Sequence, residues 1–148
     1  MEDGVKFGCG EKTGLIQLKE KGTLQKYFYI AVGGALGALA RYWVGVFVTG
    51  RMGTKFPYGT FVINMTACVI IGFSLTFLSR RAGLNPAWRY LVPVGFVGAY
   101  STFSTYEWET LSTLRSGAFL LAALYVFSSL ILGLVAVWCG IVLAEVVG

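Results

Sequence analysis

The sequence has no histidine, three prolines, three cysteines and only 13% charged residues in 148 positions. Each shortage removes a class of explanation. Without histidine there is no Ser/His/Asp or Cys/His triad, no imidazole metal ligand and no imidazole proton shuttle. Cys9, Cys68 and Cys139 have neither metal-ligand spacing nor the density of a disulfide framework. The charged fraction is about half the roughly 25% of a soluble domain, so a soluble core is a poor expectation. The 20 glycines are interleaved with apolar residues, which excludes a collagen-like or low-complexity chain.

What is present is long and apolar. Residues 61–79, 90–106 and 116–144 carry no charge, and 27–50 carry only Arg41. A hydrocarbon core of ~30 Å takes ~20 mostly apolar helical residues. Four segments fit, at about 27–49, 60–79, 90–111 and 117–144. At ~1.5 Å per residue the last reaches about 42 Å, so it must tilt or protrude. The predicted fold class is an all-α integral membrane protein of four transmembrane helices. Two regions follow: a polar N-terminal extension, 1–26, and a four-helix membrane domain, 27–148. The extension is too polar for a signal peptide and has room for a short amphipathic helix over Leu15–Leu24.

The formal net charge of +5 is an orientation signal. Lys12, Lys19, Lys21, Lys26, Arg80, Arg81 and Arg89 fall on one side of the predicted bundle. Only Arg51, Lys55 and Arg115 fall on the other. Lys/Arg excess marks the cytoplasmic side, so both termini are expected there, in a multi-pass protein of the cell membrane. The charges flank spans rather than gathering on one face, so nucleic acid is not an expected partner.

Four constellations carry chemistry. In the first helix, Gly33, Gly37, Arg41 and Gly45 are spaced by four and share a face. Small residues there allow close helix approach. Arg41 is costly against lipid. It either fixes packing through backbone carbonyls or draws an anion towards a pore. In the second helix, Thr60, Asn64 and Cys68 form a partly polar stripe, with Asn64 as interhelical glue or as an amide donor to an anion. The third run is the most informative. Pro93, Gly95 and Gly98 weaken its ladder, and Ser101, Thr102, Ser104 and Thr105 compete for its backbone bonds. A break near its middle, around 98–102, is predicted. Such backbone survives at membrane depth only against protein or water. Phe103 and Tyr106 follow at i, i+3; they either pack or offer electropositive ring edges to an anion. In the fourth helix, Tyr125, Ser129 and Gly133 recur every four residues, with Ser128 alongside, as a hydroxyl track or as interhelical hydrogen bonding.

Together these runs resemble the small four-helix fluoride channels of the Fluc (CrcB) family. The resemblance rests on residues 33–42 (GGALGALARY), 59–64 (GTFVIN) and 95–106 (GFVGAYSTFSTY), and covers about 27–144. It implies an antiparallel dimer with two fluoride pores, and a structural sodium ion held by backbone carbonyls of Gly98 and Ser101. It implies pore positions at Asn64, Phe103, Tyr106, Tyr125 and Ser129, with Thr105 as a further hydroxyl. Arg41 matches the family's first-helix arginine and Glu109 a polar position beyond the break. The sequence departs at Tyr106, where the family has a second phenylalanine, and at Ser101, where it has threonine. The partner is either a second copy or an oppositely oriented homologue; the charge asymmetry favours the latter, dual insertion the former. The implied function is passive fluoride export that lowers its toxicity, not enzymatic chemistry. The competing reading is a small proton-coupled multidrug exporter, which needs a membrane-embedded carboxylate. Glu107, Glu109 and Glu145 are the only acids near the predicted spans, all towards helix ends.

Overall fold

The computed structural model describes residues 9–81 and 83–147, with side chains from Thr23 onward. Every regular element among the described residues is helical. The order is α1 (Cys9–Met52), α2 (Tyr58–Arg80), a single turn α3 (Ala87–Arg89), a π-helix (Tyr90–Val97), a short α4 (Gly98–Tyr100), α5 (Phe103–Arg115) and α6 (Phe119–Val147).

Three helical stretches are long and apolar enough to cross a membrane: Thr23–Met52, Tyr58–Arg80 and Phe119–Val147. α1 has 44 residues, about 66 Å at 1.5 Å each, more than twice a bilayer's hydrocarbon thickness. Its helix runs without interruption across the expected 26/27 boundary. Of the expected polar extension, residues 1–8 and the side chains of 9–22, which include most of the expected amphipathic stretch Leu15–Leu24, lie outside the described residues.

The run expected as a further span, 90–111, is not one helix. Pro93 lies inside the π-helix. Its ring crowds the preceding turn and supplies no N–H, and the wider winding relieves both. Two extended residues then interrupt the chain: Ser101, with ψ 156°, and Thr102, with φ −147° and ψ 109°. The break therefore falls inside the 98–102 window that the sequence predicts.

Glycine sets how closely the helices meet. A Cβ on Gly33 or Gly37 would strike the carbonyl oxygens of Leu91 and Phe96, so α1 lies directly on the π-helix backbone. Gly72 and Gly140 do the same where α2 packs along α6, against the carbonyls of Val137 and Val69. In lipid, where apolar contact alone favours no neighbour, such close backbone approach is what holds helices together. The tightest cluster, Ile63, Ala67, Val97 and Tyr100, fixes the break between α1 and α2, with Ala40, Val44 and Phe96 packed against it.

One end of the bundle gathers positive charge. Arg80 pairs with Glu145 at 3.4 Å, Arg81 donates to the Val147 carbonyl at 3.5 Å, and Arg89 donates to the Leu78 carbonyl at 3.3 Å. The Lys26 ammonium lies 5.5 Å from the Tyr90 ring centroid. These cations, grouped on one side by sequence, therefore share one end in three dimensions.

Candidate functional site

The break in the third run is held open by a side chain from another helix. In an uninterrupted α-helix the Thr102 N–H would donate to the Gly98 carbonyl. Here it donates to Asn64 Oδ1 at 2.9 Å, while Asn64 Nδ2 donates back to the Thr102 carbonyl at 3.2 Å. Asn64 thus mimics a backbone partner in both senses. The second diversion is local. The Thr105 N–H, which would reach the Ser101 carbonyl, donates to Thr102 Oγ1 at 3.3 Å and caps α5. The Thr102 hydroxyl proton goes to Thr105 Oγ1 at 2.9 Å. Gly98 and Ser101 therefore both lose their ordinary intrahelical donors. A Cβ placed on Gly98 meets no heavy atom within 4 Å, and the residue is exposed. Two freed backbone carbonyls three residues apart are suitable donors for a hard cation, which prefers oxygen ligands.

One turn beyond Thr105, Glu109 is fixed by two hydroxyls from different helices. Thr60 Oγ1 donates to Oε1 at 2.8 Å and Tyr125 OH donates to Oε2 at 3.0 Å. Thr60 is buried and Tyr125 is only 1% exposed. The Tyr125 ring packs edge-on to Phe56, with centroids 5.2 Å apart, and against Tyr106 at 5.0 Å. A carboxylate with a hydroxyl donor on each oxygen has much of its hydrogen-bonding capacity satisfied, which makes it tolerable in half-buried surroundings.

The sequence-predicted residues divide between two cavities. The larger, about 580 Å³, is lined among others by Asn64, Cys68, Ser101, Phe103, Tyr106 and Ser129. The Phe103 and Tyr106 rings lie 6.0 Å apart, and Phe103 is 74% exposed. The smaller, about 350 Å³, is lined by Arg41, Thr60, Thr102, Thr105 and Glu109 among others. Arg41 has no hydrogen bond or ion pair with any described residue, although its side chain is half-buried. Tyr125, expected on a track with Ser129, lines neither cavity. It turns into the protein towards Glu109, and its ring is joined to the larger cavity through Tyr106. Asn64 is an interhelical clamp, one of the two readings that the sequence left open, and it borders the larger cavity.

Thr60 is the residue whose role sequence reasoning missed. Its membership of the Thr60, Asn64, Cys68 stripe was the available signal, because two of the three contact the third run. Thr66 was not singled out either. Its hydroxyl lies 2.8 Å from the Tyr100 hydroxyl and ties α2 to the segment just before the break.

Known proteins with this sequence pattern give the arrangement its context. A family model described as CrcB-like protein, Camphor Resistance (CrcB), matches residues 28–141. A relative from Acidobacterium capsulatum, named fluoride-specific ion channel FluC, is 57% identical over 120 residues, covering 81% of this chain and 96% of its own. A protein of the same name from Solibacter usitatus is 46% identical over 81% of this chain and 98% of its own. One from Citrifermentans bemidjiense is 39% identical over 82% and 98%. The match takes in the whole of Tyr58–Arg80, most of the other two spans, the clamped break and every predicted site residue. This chain belongs to the CrcB family of membrane proteins.

Proposed function

We propose that the chain forms a passive, fluoride-selective channel of the cell membrane that exports cytoplasmic fluoride. The observation that carries the reading is the Asn64 clamp on Thr102, found in a chain whose relatives are named as fluoride channels. Fluoride is small and strongly hydrated, so a pore has to replace water donors rather than exclude them. Asn64 uses one amide N–H on Thr102 and keeps a second. Thr105 accepts from Thr102 and keeps its own hydroxyl proton. Ser129 and the Phe103 ring edge border the same cavity as Asn64. Tyr106 extends this set, and Tyr125 and Thr60 hold Glu109 so that its charge opposes an anion less. Arg41 adds positive charge beside the smaller cavity. No step of this path needs bond making or a titrating group, so the activity is permeation, favourable enough to enter and weak enough to leave.

The assembly is part of the proposal. The π-helix and α5 together act as a fourth, broken span. Two subunits pack antiparallel around their breaks and enclose two pores, either as a homodimer or with an oppositely oriented homologue. The large uncovered apolar side chains, such as Phe103, Trp108 and Leu120, are consistent with burial against a partner or lipid. A structural sodium ion would be held by the Gly98 and Ser101 carbonyls and supply fixed positive charge between the breaks. The basic end of the bundle faces the cytoplasm in the favoured orientation, with both termini inside.

The decisive experiment reconstitutes the purified protein in liposomes loaded with fluoride and follows efflux with a fluoride electrode. Rapid fluoride efflux with little chloride flux is expected. Comparable chloride flux, or export that requires a proton gradient, would sink the reading.

A further inference from the structure

Two carboxylates stand two residues apart on α5 and have opposite surroundings. Glu109 is held by Thr60 and Tyr125. Glu107 has no hydrogen bond and no ion pair with any described residue, and its side chain is exposed. It lines the 580 Å³ cavity together with Asn64, Phe103, Tyr106 and Ser129. Helical geometry explains the difference. Phe103, Tyr106 and Glu107 stand at i, i+3 and i+4 and share a face. Glu109 lies about 200° round the helix from Glu107, towards the other cavity.

An ionisable side chain within a membrane segment is costly and calls for a partner or a role. No cation answers Glu107 from the elements around this cavity. α2 contributes Asn64, Met65, Ala67, Cys68 and Ile71, and α6 contributes Val126, Ser129 and Leu130. The ionisable groups among these and on α5 nearby are the Cys68 thiol, the Tyr106 phenol and the Glu109 carboxylate. Arg115 is two turns further along α5, and Arg41 borders the neighbouring cavity with Glu109.

We propose that Glu107 is a rate-determining residue of the ion path, an unpaired carboxylate that charges the cavity negatively and raises the barrier to anions. The inference rests on the channel reading above. Glu107 opposes every anion alike, so those best served by the short-range donors Asn64 and Ser129 pass most readily. Its charge lowers the rate of every anion by a similar factor and leaves the ranking among them to those donors.

The test compares wild type, Glu107→Gln, Glu107→Asp and Glu145→Gln in the liposome assay, at low and high salt and with protein-free liposomes subtracting the leak of neutral HF. Glu107→Gln keeps the shape of the side chain and removes its charge. It should raise fluoride flux about tenfold at ~10 mM salt, the size expected of one charge about 10 Å away at an effective dielectric of about 20. The gain should shrink at ~1 M salt, where the screening length falls from about 30 Å to about 3 Å. Chloride flux should rise by a similar factor. Glu107→Asp should stay near wild type. Glu145→Gln, which removes an exposed carboxylate at the other end of the chain, should change nothing. Unchanged flux in Glu107→Gln, reduced flux, or a gain independent of salt overturns the proposal while leaving the channel reading intact. Absence of fluoride flux in wild type and all variants overturns both.

Discussion

Replacing Asn64 by leucine tests the central geometric claim. The substitution keeps the volume of the side chain and removes both bonds to Thr102, the 2.9 Å bond from its N–H and the 3.2 Å bond to its carbonyl. Thr102 is 6% exposed, so its N–H and carbonyl have little access to water. An unsatisfied buried backbone group costs about 1–3 kcal/mol, which puts the pair at about 2–6 kcal/mol. Interhelical hydrogen bonds in membrane proteins average nearer ~0.6 kcal/mol, because the unfolded state in lipid also finds partners, and this sets a floor of about 1 kcal/mol. The burial of Thr102 argues for about 3 kcal/mol. Thr66→Val is the internal comparison. It removes the bond with the Tyr100 hydroxyl and the Thr66 hydroxyl's own donation to the Val62 and Ile63 carbonyls of α2, and leaves no backbone group stranded. Thermal unfolding in detergent, read by intrinsic fluorescence, should place Asn64→Leu well below Thr66→Val. The liposome assay should show fluoride flux falling at least tenfold in Asn64→Leu. If Asn64→Leu matches wild type in stability and flux, the break does not depend on the clamp and the argument fails. If it is destabilised but conducts normally, Asn64 serves packing alone.

Other outcomes follow from the same coordinates. Thr60→Val and Tyr125→Phe each remove one hydroxyl from Glu109, at about 1.5–3 kcal/mol for a bond to a charged group; a double-mutant cycle in thermal unfolding should show non-additivity, because both act on one carboxylate. Tyr106→Phe should leave fluoride flux within about twofold, since the Tyr106 hydroxyl makes no hydrogen bond with any described residue and the ring is retained; a large change would assign that hydroxyl to the ion. Gly37→Ala drives a methyl into the Phe96 carbonyl and should abolish folded protein on size-exclusion chromatography, whereas Gly50→Ala, with open space around it, should be neutral.

Composition alone made this a membrane protein: uncharged runs of helical length leave no room for a soluble core. The sequence also located the break, because Pro93 and the Ser/Thr run remove or divert backbone bonds locally, and local chemistry is readable from a string. It pointed to Asn64 as a polar residue needing a partner, but not to which partner. That Asn64 meets Thr102 and that Thr60 meets Glu109 depends on α2 crossing the third run, 38 and 49 residues away in sequence. The different surroundings of Glu107 and Glu109 also required the fold, since adjacent identical residue types differ only in which cavity the helix turns them towards. Span lengths and the point of rupture come from hydrophobicity and backbone chemistry, which are local. Which carboxylate is hydrogen-bonded, and that the Gly98 carbonyl is freed, was decided by tertiary packing, because a hydrogen-bond partner is a matter of position in space.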